Sequence, residues 1–184
     1  MNQPGTFAIR IATLEDVPVL QALIQDSVRV LQAPHYTPEQ LESALAEVYG
    51  VDTQLIRDGT YFAGELDGFV VGCGGWSRRR TLFGSDHCAG REDELLDPKL
   101  EPARIRAFFI RPGWERRGIG SAILRTCEAA AVAEGFTVIE MASTLTGIPL
   151  YRAHGYAELE RINVPLASGL TLPVVRMAKA VGPG

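Results

Sequence analysis

The sequence has few of the residues that bind metals or build disulfide frameworks. Three histidines and three cysteines occur among its 184 residues. Cys73, Cys88 and Cys127 are widely spaced, and they form no Cys-x-x-Cys pair and no cluster with histidine. These absences argue against a zinc site and against a disulfide-stapled secreted domain. We therefore expect reduced thiols and no metal cofactor.

Long apolar runs and targeting signals are also missing. The longest uncharged apolar stretch is far shorter than the ~20 residues of a membrane-spanning helix. The first residues, Met1 to Gly5, do not place a basic segment before an apolar one, as a secretory signal would. On these grounds we expect a cytoplasmic protein with no membrane partner.

The chain has no excess of positive charge. It carries 18 basic and 22 acidic residues, which gives a net charge of −4. This balance argues against nucleic acid as a partner, although it allows a local basic site. With 46% hydrophobic and 22% charged residues, the composition is that of a folded globular protein. We expect a single domain over residues 1–184, with its core in residues 6–180.

Local signals predict the order of helices and strands. Thr37-Pro38-Glu39-Gln40 combines a hydroxyl cap, a proline at the first helical position and a glutamine three residues after the cap, which predicts a helix start. Asp67-Gly68 lies between two β-rich runs and predicts a hairpin. Similar signals along the chain predict the order β-α-α-β-β-loop-β-α-β-α-β-β, which is a mixed α/β domain.

The loop in this order, residues 77–102, is unusually long. Its 26 residues are mostly polar, and loops of this length tend to be functional, mobile or partly helical. Arg78-Arg79-Arg80 lie near its start, where the preceding hairpin strand ends. We interpret these arginines as a solvated edge that discourages strand pairing. The alternative is that they contact an anionic ligand.

The segment from Phe108 to Ser121 carries the clearest chemical signal. An apolar strand leads through a tight turn into a helix that begins Arg-Arg-Gly-Ile-Gly-Ser. Backbone N–H groups at such a helix start have no partner within the helix and bind phosphate well. Gly118 and Gly120 leave these groups uncovered, and Arg116 and Arg117 add positive charge. The segment has neither the Gly-Lys-Ser/Thr of a Walker loop nor the third glycine of the dinucleotide fingerprint.

The same segment, with its Ile-x-Pro and Arg-Arg-Gly-Ile-Gly-Ser-Ala-Ile-Leu, resembles the acyl-CoA-binding motif of the GNAT superfamily of N-acetyltransferases. Residues 149–156, Pro-Leu-Tyr-Arg-Ala-His-Gly-Tyr, resemble the family's leucine-tyrosine-x-x-x-glycine-aromatic segment. The order of elements is similar to that fold over nearly the whole chain. The resemblance implies a GNAT-like acyl-CoA N-acyltransferase fold, in which a mixed, mostly antiparallel central sheet is flanked by helices. It also implies acetyl-CoA as the acyl donor.

The resemblance assigns the coenzyme contacts to two groups of residues. The pantetheine arm lies along backbone groups of the strand residues Phe108, Phe109 and Ile110, much as an added strand would. The pyrophosphate is held by backbone N–H groups of Arg116, Arg117, Gly118, Ile119, Gly120 and Ser121. Two positions depart from the family pattern. Glu115 stands where glutamine or arginine is usual and receives no binding role, since a carboxylate cannot donate to phosphate, and Thr144 replaces a frequent asparagine.

Catalytic roles are less completely specified. Tyr151 matches the family's general acid by position, and a tyrosine with a pKa of about 10 is protonated at pH 7. The alternative is a core aromatic residue on a short amphipathic helix. A backbone N–H near Ile110 would stabilise the carbonyl oxygen as it gains charge. Cys127 falls on the apolar face of its helix, so we expect a core residue and no covalent thiol mechanism.

No general base stands out. The predicted central strand, residues 104–109, contains no acid, although many family members carry a glutamate there. Glu140 lies on the next strand, where the pattern does not settle its face. Histidine is a common general base, which makes His35 a candidate, but a lone loop histidine is usually solvated. Deprotonation of the amine through water is an equal alternative.

We therefore expect an N-acetyltransferase that transfers the acetyl group of acetyl-CoA to an amine by direct attack in a ternary complex. The acceptor is a small-molecule amine or a protein amine, and a homodimer is left open. Because the strand carboxylate is missing, a non-catalytic acyl-CoA-binding sensor is the alternative. We expect the insertion at residues 77–102 to border the acceptor site or a subunit contact.

Overall fold

A seven-stranded mixed sheet forms the centre of the protein, in the strand order β1-β2-β3-β4-β5-β7-β6. The computed structural model describes residues 6–88 and 93–182. Neighbouring strands are antiparallel except β4 and β5, which are parallel. The mixed, mostly antiparallel sheet is therefore confirmed. Its strands are β1 (Phe7–Ile11), β2 (Tyr61–Leu66), β3 (Phe69–Ser77), β4 (Ala103–Ile110), β5 (Val138–Thr144), β6 (Ala157–Pro165) and β7 (Thr171–Ala180).

Helices cover both faces of the sheet and give the protein two apolar clusters. Leu23 of one face and Ile123 of the other are completely buried. α1 and α2 pack on the first face, whereas α4 and α5 pack on the second. No helix of the described residues is long and apolar enough to cross a membrane. The helices are α1 (Val17–Leu31), α2 (Pro38–Glu47), α3 (Thr53–Arg57), α4 (Ile119–Ala133) and α5 (Ile148–Ala153).

The local signals of the sequence act as predicted. The Thr37 hydroxyl accepts the backbone N–H of Gln40 at 3.2 Å, and the Gln40 side chain accepts the backbone N–H of Thr37 at 2.9 Å. This reciprocal cap starts α2. Asp67 and Gly68 have φ angles of 50° and 81°, so the β2–β3 hairpin closes with two left-handed residues, as a tight Asp-Gly turn requires. Helix α3 was not predicted.

A bulge in β4 separates this strand from its parallel neighbour. Ala107 has a φ of 50°, and the pairing of β3 with β4 shifts register between Cys73 and Gly75. β4 pairs with β5 only through Ala103 and Arg104. Beyond Arg104 the two strands diverge, and a cleft opens between them.

The insertion at residues 77–102 pairs with itself and then returns to the domain; residues 89–92 lie outside the described part. Arg79 and Leu95 form an antiparallel bridge. The interpretation of the arginines as a solvated edge that discourages pairing is wrong, because Arg79 forms a 2.7 Å ion pair with Asp58 and Arg80 pairs with Glu94. These carboxylates compensate the buried part of the guanidinium groups, so the two arms of the insertion can pair.

Candidate active site

The cleft between β4 and β5 has a volume of about 690 Å³. It is lined by β4, the start of α4, the end of β5 and α5, together with the end of α1 and part of the insertion. Of the residues predicted from the sequence, those that line it are Phe108, Phe109, Ile110, Arg116, Gly118, Ile119, Gly120, Ser121 and Tyr151. The fold thus brings the two motifs together on one cavity, although residues 110 and 151 are far apart in the chain.

The bulge in β4 is held by a buried tyrosine. The Tyr61 hydroxyl donates to the Ala107 carbonyl at 2.9 Å. Next along the strand, the Phe108 ring lies so close to Gly74 that a Cβ there would stand 2.3 Å from it. Phe109 points to the opposite face, where its ring meets Tyr49 edge-on at 5.8 Å. The successive side chains of the bulged strand therefore reach both faces of the sheet beside the cleft.

The start of α4 provides uncovered backbone donors. The first intrahelical bond runs from the N–H of Ala122 to the carbonyl of Gly118 at 2.9 Å, so the N–H groups of residues 119–121 have no partner within the helix. Gly118 has a φ of 80°, and a Cβ there would meet no atom within 4 Å. A phosphate can approach this space, and the positive end of a 15-residue helix favours it. Arg116 lines the cleft beside these donors.

Two charged residues between β4 and α4, Arg117 and Glu115, differ in their position relative to the cleft. Arg117 does not line the cleft: its guanidinium lies 4.5 Å from the ring centroid of Trp114, which does. Arg117 is exposed and can add positive charge near the helix start only at longer range. Glu115 lines the cleft, where its carboxylate repels phosphate. The donors at this site are therefore the backbone and Arg116.

Tyr151 lies on α5 within an aromatic cluster. Its ring packs edge-on against Phe108 at 6.2 Å and against Tyr156 at 5.8 Å. A Cβ at Gly147 would stand 3.0 Å from Tyr151 Cε2, so glycine allows the ring to seat there. Burial raises the pKa of Tyr151 above its usual value, which keeps the phenol protonated and able to donate. The Tyr156 hydroxyl instead donates to Glu128 at 2.9 Å.

Neither residue considered as a base lies at the cleft. Glu140 is 3% exposed and forms ion pairs with Arg104 and with Arg176, at 2.9 Å for the latter. These partners fix its carboxylate as part of a buried ion network. His35 is exposed and does not line the cleft. Cys127 is fully buried on α4, and burial raises the pKa of its thiol.

Sequence reasoning missed the polar residues at the other end of the cleft. Arg106 of β4 lines it and forms a 2.9 Å ion pair with the fully buried Asp52. Gln32 and Tyr49 also line this end. One signal was available for Arg106. It alternates with Ile105 on a strand, which predicts that its side chain shares a face with Arg104.

Within the described residues, no group of three or more metal-binding side chains occurs. The residues present instead fit an acyl-CoA. The start of α4 supplies amide donors, the space at Gly118 is open, and β4 presents an unpaired strand edge to the cleft. A pyrophosphate suits the first feature, and an amide-bearing pantetheine arm suits the last.

Comparison with known proteins supports this reading. A family model described as the acetyltransferase (GNAT) family matches residues 24–156. A search of curated proteins gave no match. A GCN5-related N-acetyltransferase from Rhodopseudomonas palustris superimposes with a TM-score of 0.72 at 21% identity, over 98% of this chain and 99% of that one. The PaiA N-acetyltransferase from Thermoplasma acidophilum, in complex with coenzyme A, gives 0.65 at 14% identity over 95% and 99%. At these identities the structures show a shared fold.

Proposed function

Because the chain belongs to the acetyltransferase (GNAT) family, we propose that it transfers the acetyl group of acetyl-CoA to an amine by direct attack in a ternary complex. One observation carries the proposal. The uncovered amides at the start of α4, the bulged strand β4 and the buried phenol of Tyr151 all open on the same cleft. In the proposed reaction they would serve as an anion site, a strand edge for the pantetheine arm and a proton donor.

Each part has a role in the reaction. Acetyl-CoA, when bound, supplies an activated thioester. The amides of residues 119–121 and Arg116 would bind its pyrophosphate, and Phe108 to Ile110 would bind its pantetheine arm. A backbone N–H near Ile110 would stabilise the carbonyl oxygen as charge develops.

Tyr151 is the proposed general acid. The amine nitrogen bonds to the acetyl carbon, the carbon–sulfur bond breaks, and the departing thiolate needs a proton. The phenol of Tyr151 would supply it and recover it from solvent. The amine loses its surplus proton to water, since the described cleft-lining residues include no histidine and, apart from Glu115 beside α4, no carboxylate.

Two linked measurements test this function. Coenzyme A should raise the unfolding midpoint of the protein, and thiol release from acetyl-CoA should require an added amine. A raised midpoint without release on any amine would favour the non-catalytic acyl-CoA sensor. An unchanged midpoint at millimolar coenzyme A would contradict both functions.

A further inference from the structure

We propose that the acceptor is a small primary amine of low basicity with an apolar body, for which an aromatic amine is the type case. This rests on the acetyl transfer proposed above and names the substrate class of the same cleft. The acceptor end of the cleft is formed by α1, the α2–α3 connection, β4 and the insertion. Its lining includes Leu31, Gln32, Tyr49, Leu82, Phe83 and Arg106.

Side-chain hydrogen bonds join the start of helix α2 and the segment before it to the β6–β7 hairpin. The Tyr36 hydroxyl donates to the Pro173 carbonyl at 2.7 Å and accepts the N–H of Leu145 at 2.9 Å. The Gln40 side chain donates to the Thr171 carbonyl at 2.7 Å. An extended peptide could not pass between these segments without breaking the hydrogen bonds. This favours a small molecule over a protein acceptor.

The insertion forms a second boundary. Leu82 and Phe83 line the cleft, and the Arg106 side chain donates to the Gly84 carbonyl, which ties this part of the insertion to β4. The cavity of about 690 Å³ is of the size that holds one drug-sized ligand. An acyl-pantetheine arm must share it, so the remaining space suits a compact acceptor.

The charges at the acceptor end disfavour a cationic group. Among the residues that the structure describes at this end, the charged one is Arg106, and the carboxylate of Asp52 is already engaged in an ion pair with it. Among the described cleft-lining residues the carboxylate is that of Glu115, next to the start of α4. Apolar side chains such as Leu31 and Phe83 further raise the cost of bringing in a charge. Polyamines and other multiply charged acceptors do not fit this environment.

Two buried polar atoms here lack a hydrogen-bond partner within the described part of the chain: Gln32 Oε1 and Tyr49 Oη. Both can accept an N–H from a bound amine. Neither can remove a proton, because an amide does not titrate and burial raises the pKa of Tyr49 well above its usual value. These atoms can orient an amine but cannot activate an ammonium.

Because these atoms cannot remove a proton, the cleft favours an acceptor amine of low basicity. An amine with a pKa near 10.4 is neutral in only about one molecule in 2,500 at pH 7. Because the described residues of the cleft place no base at the acceptor end, such an acceptor reacts only through this small fraction. An aromatic amine is neutral at pH 7 and pays no such penalty, and its ring matches the apolar walls.

The test compares acceptors in thiol release from acetyl-CoA by the intact protein. Aniline, benzylamine, spermidine and a tripeptide with a free N-terminus are measured from pH 6 to pH 9. For aniline we expect the highest kcat/KM at pH 7 and no change with pH. For benzylamine we expect kcat/KM to rise about tenfold per pH unit up to the pKa of the amine itself. A higher kcat/KM at pH 7 for spermidine, the tripeptide or benzylamine would overturn the proposal. No release with any amine would instead contradict acetyl transfer itself.

A pair of variants in the insertion tests the size limit. Phe83→Ala enlarges the acceptor end, whereas Leu95→Ala changes an exposed side chain on the far arm. The ratio of kcat/KM for 4-butylaniline to that for aniline should rise at least fivefold in Phe83→Ala and stay unchanged in Leu95→Ala. An equal ratio in both variants would show that the insertion does not bound the acceptor.

Discussion

The Tyr61 hydroxyl donates a hydrogen bond of 2.9 Å to the carbonyl of Ala107, the residue at which β4 bulges. Tyr61 is completely buried. The bond gives the carbonyl at the bulge a hydrogen-bond partner. A residue of β2 thereby fixes the conformation of the strand that lines the cleft.

Tyr61→Phe should loosen this strand. The loss of one hydrogen bond to a half-buried carbonyl costs about 1–3 kcal/mol of unfolding free energy, and the KM for acetyl-CoA should rise. Tyr36→Phe removes similar bonds outside β4 and should lower stability without changing this KM. Urea unfolding and initial rates measure both effects. An unchanged KM in Tyr61→Phe would show that the bulge does not depend on this bond.

Tyr151→Phe removes the proposed acid while keeping the ring. General acid catalysis contributes roughly 10²–10⁴-fold, so kcat should fall by at least about 10²-fold, with little change in the dissociation constant of acetyl-CoA. Tyr156→Phe is the matched control, because Tyr156 belongs to the same aromatic cluster. Its hydroxyl, however, donates to Glu128. This variant should leave kcat close to that of the parent, because the Tyr156 hydroxyl bonds to Glu128 and Tyr156 does not line the cleft. Equal kcat values for the two variants would remove the acid role from Tyr151.

Gly118→Ala and Gly68→Ala separate backbone strain from ligand binding. Both glycines have a positive φ, of 80° and 81°, and a Cβ at either meets no atom within 4 Å. Each substitution should therefore cost about 1–2 kcal/mol of stability. Only Gly118→Ala should also weaken coenzyme A binding, by roughly tenfold or about 1.4 kcal/mol. Calorimetric titration measures this, and equal affinities would place the pyrophosphate elsewhere.

The buried ion pair between Asp52 and Arg106 should be structurally costly to break. Asp52→Ala leaves a buried guanidinium without its carboxylate and should cost about 3–5 kcal/mol of unfolding free energy. Glu42→Ala breaks the exposed pair of Glu42 with Arg29, where solvent screens the charges, and should leave the denaturation midpoint unchanged. If both variants unfold at the same urea concentration, the pair contributes nothing to stability.

Asp16 should make the protein sensitive to acid. Hydrogen bonds from Arg10 lower the pKa of Asp16 to about 2, below the unfolded value of about 3.9. The carboxylate therefore stabilises the fold fully above pH 4, and this contribution is lost as the pH falls from 4 towards 2. Asp16→Asn should flatten the stability curve in this window. Chemical unfolding at half-unit pH steps compares the two slopes.

The sequence predicts those features of the fold that depend on neighbouring residues. The α2 cap at Thr37 and the Asp-Gly turn at Gly68 are set by two to four consecutive residues, so local pattern was sufficient. The start of α4 at Gly118 likewise follows from a short motif of consecutive residues. The same holds for the order of the strands along the chain, because the hydrophobic period that identifies each strand is a local property.

Features formed by distant residues were not predictable in this way. Asp52 and Arg106 meet only after the sheet assembles, and nothing near Asp52 in the chain indicates its partner. The bulge at Ala107 accepts a hydrogen bond from Tyr61, which is distant in the chain. Glu140 was ambiguous because a strand shows its two faces equally until a sheet covers one of them. The absence of a base from the described cleft residues could be seen only once their faces were known.

The most direct test of the account is the initial-rate pattern with both substrates varied. Direct transfer in a ternary complex predicts double-reciprocal lines for acetyl-CoA that intersect as the amine concentration changes. The buried Cys127 and Cys73 do not line the cleft, so we expect no acetyl-enzyme intermediate. Intersecting lines are the predicted result, and parallel lines, which indicate a covalent acetyl-enzyme, would contradict the account.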